Sequence, residues 1–522
     1  MAMRVLVTDN IAAEGLDCLR AAPNVQVDVR TDWGNDDLLR NIEHYEALVV
    51  RSRTQVTAEV LEAAKNLIVV GRAGVGVDNI DVTAATRQGI LVVNTPQAST
   101  VAVAEHTIAM LMALARHIPQ ADASVKRGEW SKSKFVGVQL SDKILGMVGL
   151  GRIGGEVARR AVALDMKVLA HDPFTTSERA RRLGVQLASL EEVCCQADFI
   201  TLHTPLTSET EGLLDSRHFA VMRPGVRIVN CARGGIVDED ALLQALEQGI
   251  VAGCALDVFA EEPPVDNPLL AMPQVIATPH LGASSVEAQI GVAVDVADAV
   301  LEALAGRPVR TAVNAPYVRA LLQDEKGYLQ LAESLGRFFT ALYGGGFEHL
   351  EFMYAGEASE VDAEALSAML LRGILSPIKT GVNYINALML AEECGIQVHE
   401  VRRPRAEGYT NLITVRGLGP GGNRTVTGSL SNDQHRRIVS IDGYRLNIDS
   451  SGTMIVARNL DKPGIIGQVG TVLGEYGINI SFMQVGRKKR GQLAVMVLGI
   501  DDELSQEACD RLSQIEALRE VR

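Results

Sequence analysis

Three polar side chains in this chain have the types and placement to move a proton and hold a carboxylate. They are His280 in Thr278-Pro279-His280-Leu281-Gly282, Glu262 in Ala260-Glu261-Glu262-Pro263, and Arg233 in Asn230-Cys231-Ala232-Arg233-Gly234-Gly235. Each falls at or just after the end of a predicted strand, and in a parallel sheet those ends face the ligand crevice. Hydride transfer from a secondary alcohol needs a base for the hydroxyl proton, and histidine ionises near working pH. A glutamate bonded to that histidine fixes the ring tautomer and favours the imidazolium. Arginine offers a carboxylate two parallel N–H donors and polarises the reacting oxygen. Plainer readings stand beside these: His280 as a structural histidine, Glu261 and Glu262 as solvated loop residues, and Arg233 paired with Asp238 or Glu239.

A hydride also needs an acceptor. Val148-Gly149-Leu150-Gly151-Arg152-Ile153-Gly154 lies between the apolar run from Ile144 to Val148 and a helix-like stretch from Gly155, and Asp172 follows the last glycine by 18 positions. Gly149 permits the tight strand-to-helix turn, Gly151 lets a pyrophosphate reach the backbone, and Gly154 lets helix and strand pack closely. The helix N-terminus presents unpaired N–H groups to the phosphates. Asp172 ends a second strand-like run, where a carboxylate accepts hydrogen bonds from ribose hydroxyls and repels a 2′-phosphate, so the spacing favours NAD over NADP.

Two further loops follow strands in the N-terminal part: Val50-Arg51-Ser52-Arg53-Thr54, and Gly71 to Asn79 with Arg72, Gly74 and Gly76. Arg51 and Arg72 suit a phosphate, and the glycines let backbone N–H groups approach an anion. As residues alone, these arginines read equally well as surface charges.

The elements that must position these groups are laid out over 522 residues, more than one core usually serves. Short β-rich runs alternate with helical stretches from Met3 to Asn94. A long helical region, Val101 to Arg127, precedes the glycine loop, and an amphipathic helix from Ser285 to Ala305 offers to cross back to the first unit. This predicts an α/β chain of two Rossmann-like parallel-sheet domains: residues 1–97 with 284–316 for substrate, and 98–283 for the nucleotide. Residues 317–447 read as an intervening α+β domain, in which Arg416 to Asn423 forms a turn between strands rather than a second phosphate loop. Residues 448–522 read as strand, helix, strand, strand, helix, strand.

Sixty-four acidic against fifty basic side chains give a net charge of −14, which disfavours nucleic acid and anionic membranes as partners. No uncharged stretch resembles a membrane span, Met1 to Arg4 run directly into a strand pattern without a signal region, and seven cysteines without metal-ligand spacing read as reduced thiols. A cytoplasmic protein without a metal is expected.

The glycine loop, the Asn230 to Gly235 segment, Leu256-Asp257-Val258-Phe259-Ala260-Glu261-Glu262-Pro263 and Thr278 to Ser284 together resemble the D-isomer-specific 2-hydroxyacid dehydrogenases over roughly the first 315 residues. The resemblance implies Arg233, Glu262 and His280 as the catalytic set, the choice of Glu262 over Glu261 resting on the Glu-Pro pair. It implies Gly149, Gly151, Arg152, Ile153, Gly154, Asp172, Thr204, Cys231, Ala232, Asp257, Gly282 and Ala283 around NAD. Taken over the whole chain it extends to long members of the family that oxidise 3-phosphoglycerate to 3-phosphohydroxypyruvate, at the entry to serine synthesis. Val75 stands where some relatives carry threonine. The last segment resembles an ACT domain through Asn459-Leu460-Asp461-Lys462-Pro463-Gly464 and Gly477-Ile478-Asn479-Ile480. Such domains pair and bind an amino acid between them, which implies a homo-oligomer, dimer or tetramer, with Asp461 and Asn479 contacting L-serine. The residues alone also allow Asp461 to cap a helix and Asn479 to make a turn. Two rival functions remain: the same chemistry on glycerate or glyoxylate, and a non-catalytic nucleotide-sensing scaffold.

Overall fold

The computed structural model describes residues 2–315, 325–419, 422–431 and 433–522. The boundary expected at 316 and 317 lies outside the described residues, as do Pro420 and Gly421 of the glycine-rich turn.

The first sheet is built from β1 (Met3–Val7), β2 (Val25–Val29), β3 (Ala47–Val50), β4 (Val69–Arg72) and β5 (Leu91–Val93), all parallel in the order β2-β1-β3-β4-β5. Its central strand β3 is apolar along its whole length because helices cover both faces of the sheet; Ala47 to Val50 are all fully buried. One cover comes from far along the chain. Helix Val286–Leu304, capped by Ser285 on Ala288 N–H, lays Val292, Val296 and Val300 into the same core as Val5, Val69 and Val93. It crosses helix Ala13–Ala21 so closely that a Cβ on Gly15 would sit 2.4 Å from the Ala293 carbonyl oxygen.

The second sheet contains β6 (Ile144–Val148), β7 (Lys167–His171), β8 (Val185–Leu187), β9 (Phe199–Leu202), β10 (Val226–Asn230), β11 (Val251–Leu256) and β12 (Val275–Ala277), in the order β12-β11-β10-β9-β6-β7-β8. Here too every pairing is parallel. The strand order reverses between β6 and β9, and the carboxyl ends on either side of that point open the crevice in which doubly wound folds bind ligands. The helical region expected from Val101 to Arg127 is two helices, Thr100–Arg116 and Ile118–Lys126, bent by 63°. His117 between them takes a left-handed φ of 52°, and Pro119 has no N–H with which to continue the first helix. Among the described residues no single helix is long and apolar enough to cross a membrane.

Beyond these lies a six-stranded mixed sheet of β13 (His349–Gly356), β14 (Gln397–Arg403), β15 (Asn411–Gly419), β16 (Gly422–Leu430), β17 (Arg436–Ile441) and β18 (Tyr444–Asp449). Its order is β14-β13-β15-β16-β17-β18, and only the β13 and β14 pair is parallel. The last sheet has β19 (Thr453–Leu460), β20 (Ile480–Arg487), β21 (Leu493–Ile500) and β22 (Leu518–Val521), antiparallel in the order β20-β21-β19-β22. With helices Ile465–Glu475 and Gln506–Ser513, this is the expected βαββαβ unit. The six-stranded unit grips the first domain at the end of helix Val82–Gln88: Arg87 pairs with Glu393 at 2.7 Å, and Asn383 donates to the Gly89 carbonyl at 2.7 Å.

Candidate functional site

The strand ends of both parallel sheets open onto one cavity of about 870 Å³. Arg51, Arg72, Gly74, Gly76 and Asp78 reach it from the first sheet; Arg152, Ile153, Thr204, Cys231, Ala232, Arg233, Asp257, Glu262, His280, Gly282 and Ala283 reach it from the second.

His280 and Glu262 meet: Nδ1 of the ring lies 2.8 Å from Oε2 of the carboxylate. The other carboxylate oxygen accepts Phe259 N–H at 3.2 Å, so Glu262 is itself held, and His280, whose Nε2 has no partner among the described residues, lines the cavity. His280 is presented in a left-handed conformation, φ 55°, which a non-glycine residue adopts only where its surroundings impose it. The imposing group is Asp257. This carboxylate is 1% exposed at the end of β11 and accepts Thr278 Oγ1 at 2.6 Å, Leu281 N–H at 2.7 Å and Gly282 N–H at 2.8 Å. His106 Nε2 lies 3.2 Å from it. Burial alone would raise the Asp257 pKa, but the hydrogen bonds from His106, Thr278 and the two amides outweigh it and hold the carboxyl below its usual range. Asp257 therefore fixes the turn that carries His280.

Arg233 pairs with neither Asp238 nor Glu239. Asp238 caps helix Glu239–Glu247 through Ala241 N–H at 3.0 Å, and Glu239 accepts Ala260 N–H at 2.6 Å. Arg233 instead crosses the cleft, donating Nε to Asp78 Oδ2 at 3.0 Å and one terminal nitrogen to its neighbour's carbonyl, Ala232, at 2.7 Å. The Arg233 turn is tied down by buried Asn230, which accepts Ala232 N–H at 3.0 Å and donates to the Arg233 carbonyl at 2.8 Å.

In the first domain, Asp9 at the end of β1 is 3% exposed and accepts Arg51 N–H at 2.6 Å, Thr54 Oγ1 at 2.7 Å and Arg53 Nε at 3.2 Å. Arg53 is thus committed to structure. The Arg51 side chain makes no hydrogen bond or ion pair among the described residues, and Arg72 finds only Ser52 Oγ, at 3.3 Å. Arg72 Nε is buried without a partner. Desolvation, then the nearby positive charges of Arg233 and Arg51, push the Arg72 pKa down to about 10. Such a site is short of negative charge. The two glycines expected to admit an anion have another occupant: a Cβ at Gly74 would lie 1.5 Å from an Arg72 terminal nitrogen, and one at Gly76 would lie 1.8 Å from an Arg233 terminal nitrogen.

The glycine loop fits a dinucleotide. Gly149 takes φ 93° and a Cβ there would meet the His203 carbonyl at 2.6 Å, while one on Gly154 would meet the Gly149 carbonyl at 2.2 Å. Gly151 differs, since nothing of the protein lies within 4 Å of a Cβ placed on it; its bare backbone faces open space at the N-terminus of helix Arg152–Ala163. That helix starts three residues before the expected Gly155, so Arg152 and Ile153 form its first turn at the cavity wall. Asp172 at the end of β7 accepts Leu150 N–H at 2.6 Å and Phe174 N–H at 2.8 Å, fixing its carboxylate beside the loop. Thr204 Oγ1 lines the cavity buried and unpartnered, a polar atom awaiting a ligand. Burial raises the Cys231 thiol to about 12, so it meets a ligand as a neutral group.

Asp461 and Asn479 are not brought together. Asp461 follows β19 and accepts Gly491 N–H and Arg487, both at 3.2 Å, tying down the β20–β21 hairpin rather than capping a helix. Asn479 precedes β20 and donates to Asp501 at 2.5 Å. The register sets them at opposite ends of β21, roughly 25 Å apart at the rise of a strand.

Sequence reasoning missed Asp9, Asp78 and His106. Asp9 and Asp78 each follow the carboxyl end of a strand in the first sheet, so their place by the cleft was legible though their partners were not; nothing marked His106, inside a helix far from Asp257 in sequence.

Comparison with known proteins agrees with this geometry. Residues 108–282 match the D-isomer specific 2-hydroxyacid dehydrogenase NAD binding domain, 325–442 the D-3-phosphoglycerate dehydrogenase intervening domain, and 453–517 the ACT domain. The chain is 42% identical to the D-3-phosphoglycerate dehydrogenase of Synechocystis over 99% of its own length and 94% of the relative. It is 44% identical to that of Bacillus subtilis over 98% and 97%. Among solved structures, a glyoxylate reductase from Paecilomyes thermophila covers 60% of this chain and 98% of its own at 30% identity, with a TM-score of 0.56. An NAD-binding oxidoreductase fold, a shared two-domain cleft, the intervening and ACT modules beyond it, and relatives aligned over nearly the whole chain lead to one conclusion: the chain belongs to the D-3-phosphoglycerate dehydrogenases of the D-isomer-specific 2-hydroxyacid dehydrogenase family.

Proposed function

We propose that the cleft oxidises 3-phosphoglycerate to 3-phosphohydroxypyruvate with His280, Glu262 and Arg233 as its catalytic set, and that L-serine acts on the C-terminal domain. NAD, when bound, supplies the hydride acceptor. Gly149, Gly151, Gly154, Arg152 and Ile153 would hold its pyrophosphate, Asp172 its ribose, and Thr204, Cys231, Ala232, Gly282 and Ala283 the remainder. The open space at Gly151 and the unpartnered Thr204 hydroxyl support that placement.

His280 accepts the hydroxyl proton at Nε2 as the hydride leaves the adjacent carbon, and Glu262 stabilises the imidazolium through Nδ1–H. In the reducing direction the imidazolium returns the proton. Arg233 holds the substrate carboxylate and polarises the reacting oxygen. Asp257 keeps His280 in its left-handed presentation and is a positioning residue. Closure of the two domains over the bound acid excludes water.

The single observation that carries the choice of substrate is Arg72: a cation in the cleft with a buried, unpaired Nε and no carboxylate partner, beside an equally unpaired Arg51. A phosphate supplies the missing charge. The test is NADH consumption with 3-phosphohydroxypyruvate, hydroxypyruvate and glyoxylate. Strong preference for the phosphorylated acid is expected; equal turnover of the other two would move the chain to the glycerate or glyoxylate reading.

For the effector, the separation of Asp461 from Asn479 supports a paired arrangement. A two-fold axis between copies reverses one sheet against the other, setting the Asp461 end of one beside the Asn479 end of the next. Serine then bridges two chains, its ammonium toward Asp461 and its carboxylate or hydroxyl toward Asn479. Inhibition of NADH consumption by serine, with a matching shift in assembly by sedimentation, is expected; indifference to serine at millimolar concentration counts against it.

A further inference from the structure

Asp78 has no role in the scheme above, yet it reaches across the cleft to the guanidinium on which that scheme depends. It stands at the tip of the glycine loop of the first domain, and its Oδ2 accepts Arg233 Nε at 3.0 Å from the second. The tip is built to hold it. On one side Asn79 donates to the Arg51 and Thr54 carbonyls at 3.1 and 2.6 Å; beyond it Asp81 caps helix Val82–Gln88 through Ala84 N–H at 2.8 Å. The loop also approaches Arg233 at Gly76, whose missing side chain is the space in which an Arg233 terminal nitrogen lies.

Stability does not account for this contact. The Asp78 side chain is 65% exposed, and an ion pair so open to water contributes little to folding. Orientation does account for it. Arginine presents its donors in a rigid plane, so fixing one edge fixes the others. With Nε given to Asp78 and one proton to the Ala232 carbonyl, the remaining donors on the two terminal nitrogens form the edge available to a carboxylate.

We infer that Asp78 is a positioning residue that sets the plane of Arg233 across the domain boundary, so that the substrate carboxylate meets the guanidinium by its terminal edge. The inference rests on the role proposed for Arg233. It also gives the glycine loop a second duty, because any movement of the first domain that carries Asp78 and Gly76 turns Arg233 with it.

The test compares steady-state kinetics of Asp78→Ala, Asp78→Asn and Gly76→Ala, with Arg233→Lys as background. Asp78→Ala should lower kcat with 3-phosphohydroxypyruvate by about tenfold to a hundredfold, the scale of a misplaced reacting group, leaving the KM for NADH and the thermal midpoint unchanged. Asp78→Asn keeps an oxygen for Nε and should regain most of the loss. Gly76→Ala, which fills the space of the terminal nitrogen from the other side, should reproduce the kcat defect. In Arg233→Lys there is no planar edge to orient, and adding Asp78→Ala should cost nothing more. Wild-type kcat in Asp78→Ala, equal losses in the Ala and Asn variants, or additive losses in the double variant would overturn the inference. Full activity in Arg233→Lys alone would instead remove the role given to Arg233, so the two failures are told apart.

Discussion

The cleft and the C-terminal domain divide their proposed functional residues in opposite ways. In the cleft, partners far apart in sequence touch within one chain: His280 with Glu262 at 2.8 Å, Arg233 with Asp78 at 3.0 Å, Asp257 with the turn that follows β12. In the C-terminal sheet, Asp461 and Asn479 stand at opposite ends of β21, each bonded to a local neighbour. Bond-making groups need fixed distances before substrate arrives. The sensor proposed for this domain has no such need: residues split between two copies would make ligand binding depend on how those copies meet.

Four measurements press on that contrast. The largest effect belongs to His280→Ala, expected to lower kcat by about 10²–10⁴ with folding intact, since it removes the proton acceptor; turnover near wild type would dissolve the claim that the cleft is pre-assembled. Next comes Arg72→Ala. Loss of a charge-assisted phosphate contact should raise the KM for 3-phosphohydroxypyruvate by about ten- to a hundredfold, while the activity on hydroxypyruvate changes far less. The same group sets a pH limit. Burial and the neighbouring cations lower the Arg72 pKa to about 10, so kcat/KM for the phosphorylated acid should fall as pH rises through that value, and a fall that persists unchanged in Arg72→Ala belongs to another group. The smallest effect is expected from Asn479→Ala and Asp461→Ala, which should shift serine inhibition to about tenfold higher concentration with kcat unchanged. If either variant instead impairs kcat without serine, the C-terminal domain is part of the catalytic assembly and the contrast fails.

What could be read in advance follows from which interactions are local. The glycine loop declares itself because Gly149, Gly151 and Gly154 answer three separate steric demands at fixed spacing. The parallel sheets were legible for a similar reason: strands buried on both faces, such as Ala47 to Val50, write continuous apolar runs. The order of Arg233, Glu262 and His280 along the chain was legible too, but not their partners. Asp78 lies 155 residues from Arg233, and no pattern in either neighbourhood predicts that they meet. His106 escapes for the same reason. Its helix reads as apolar and buried, and only the fold brings Nε2 to Asp257. The break at His117 was missed because a left-handed residue between two helical stretches leaves the periodicity on each side intact.

Helix Val286–Leu304, which closes one face of the first sheet, also sets a clock during synthesis. The strands it covers are complete at Val93, but the part of their apolar face that helix Ala13–Ala21 leaves open has no cover until the ribosome has passed Leu304, about 210 residues later. At about 5–20 residues per second, that is roughly 10–40 s during which Val5, Val69 and Val93 wait beside an unfinished chain. The interrupted order of the first domain makes its core the last of the two to close, although its residues are the first to be made, and gives the nascent chain an exposed apolar face for the whole time that the nucleotide domain is being built.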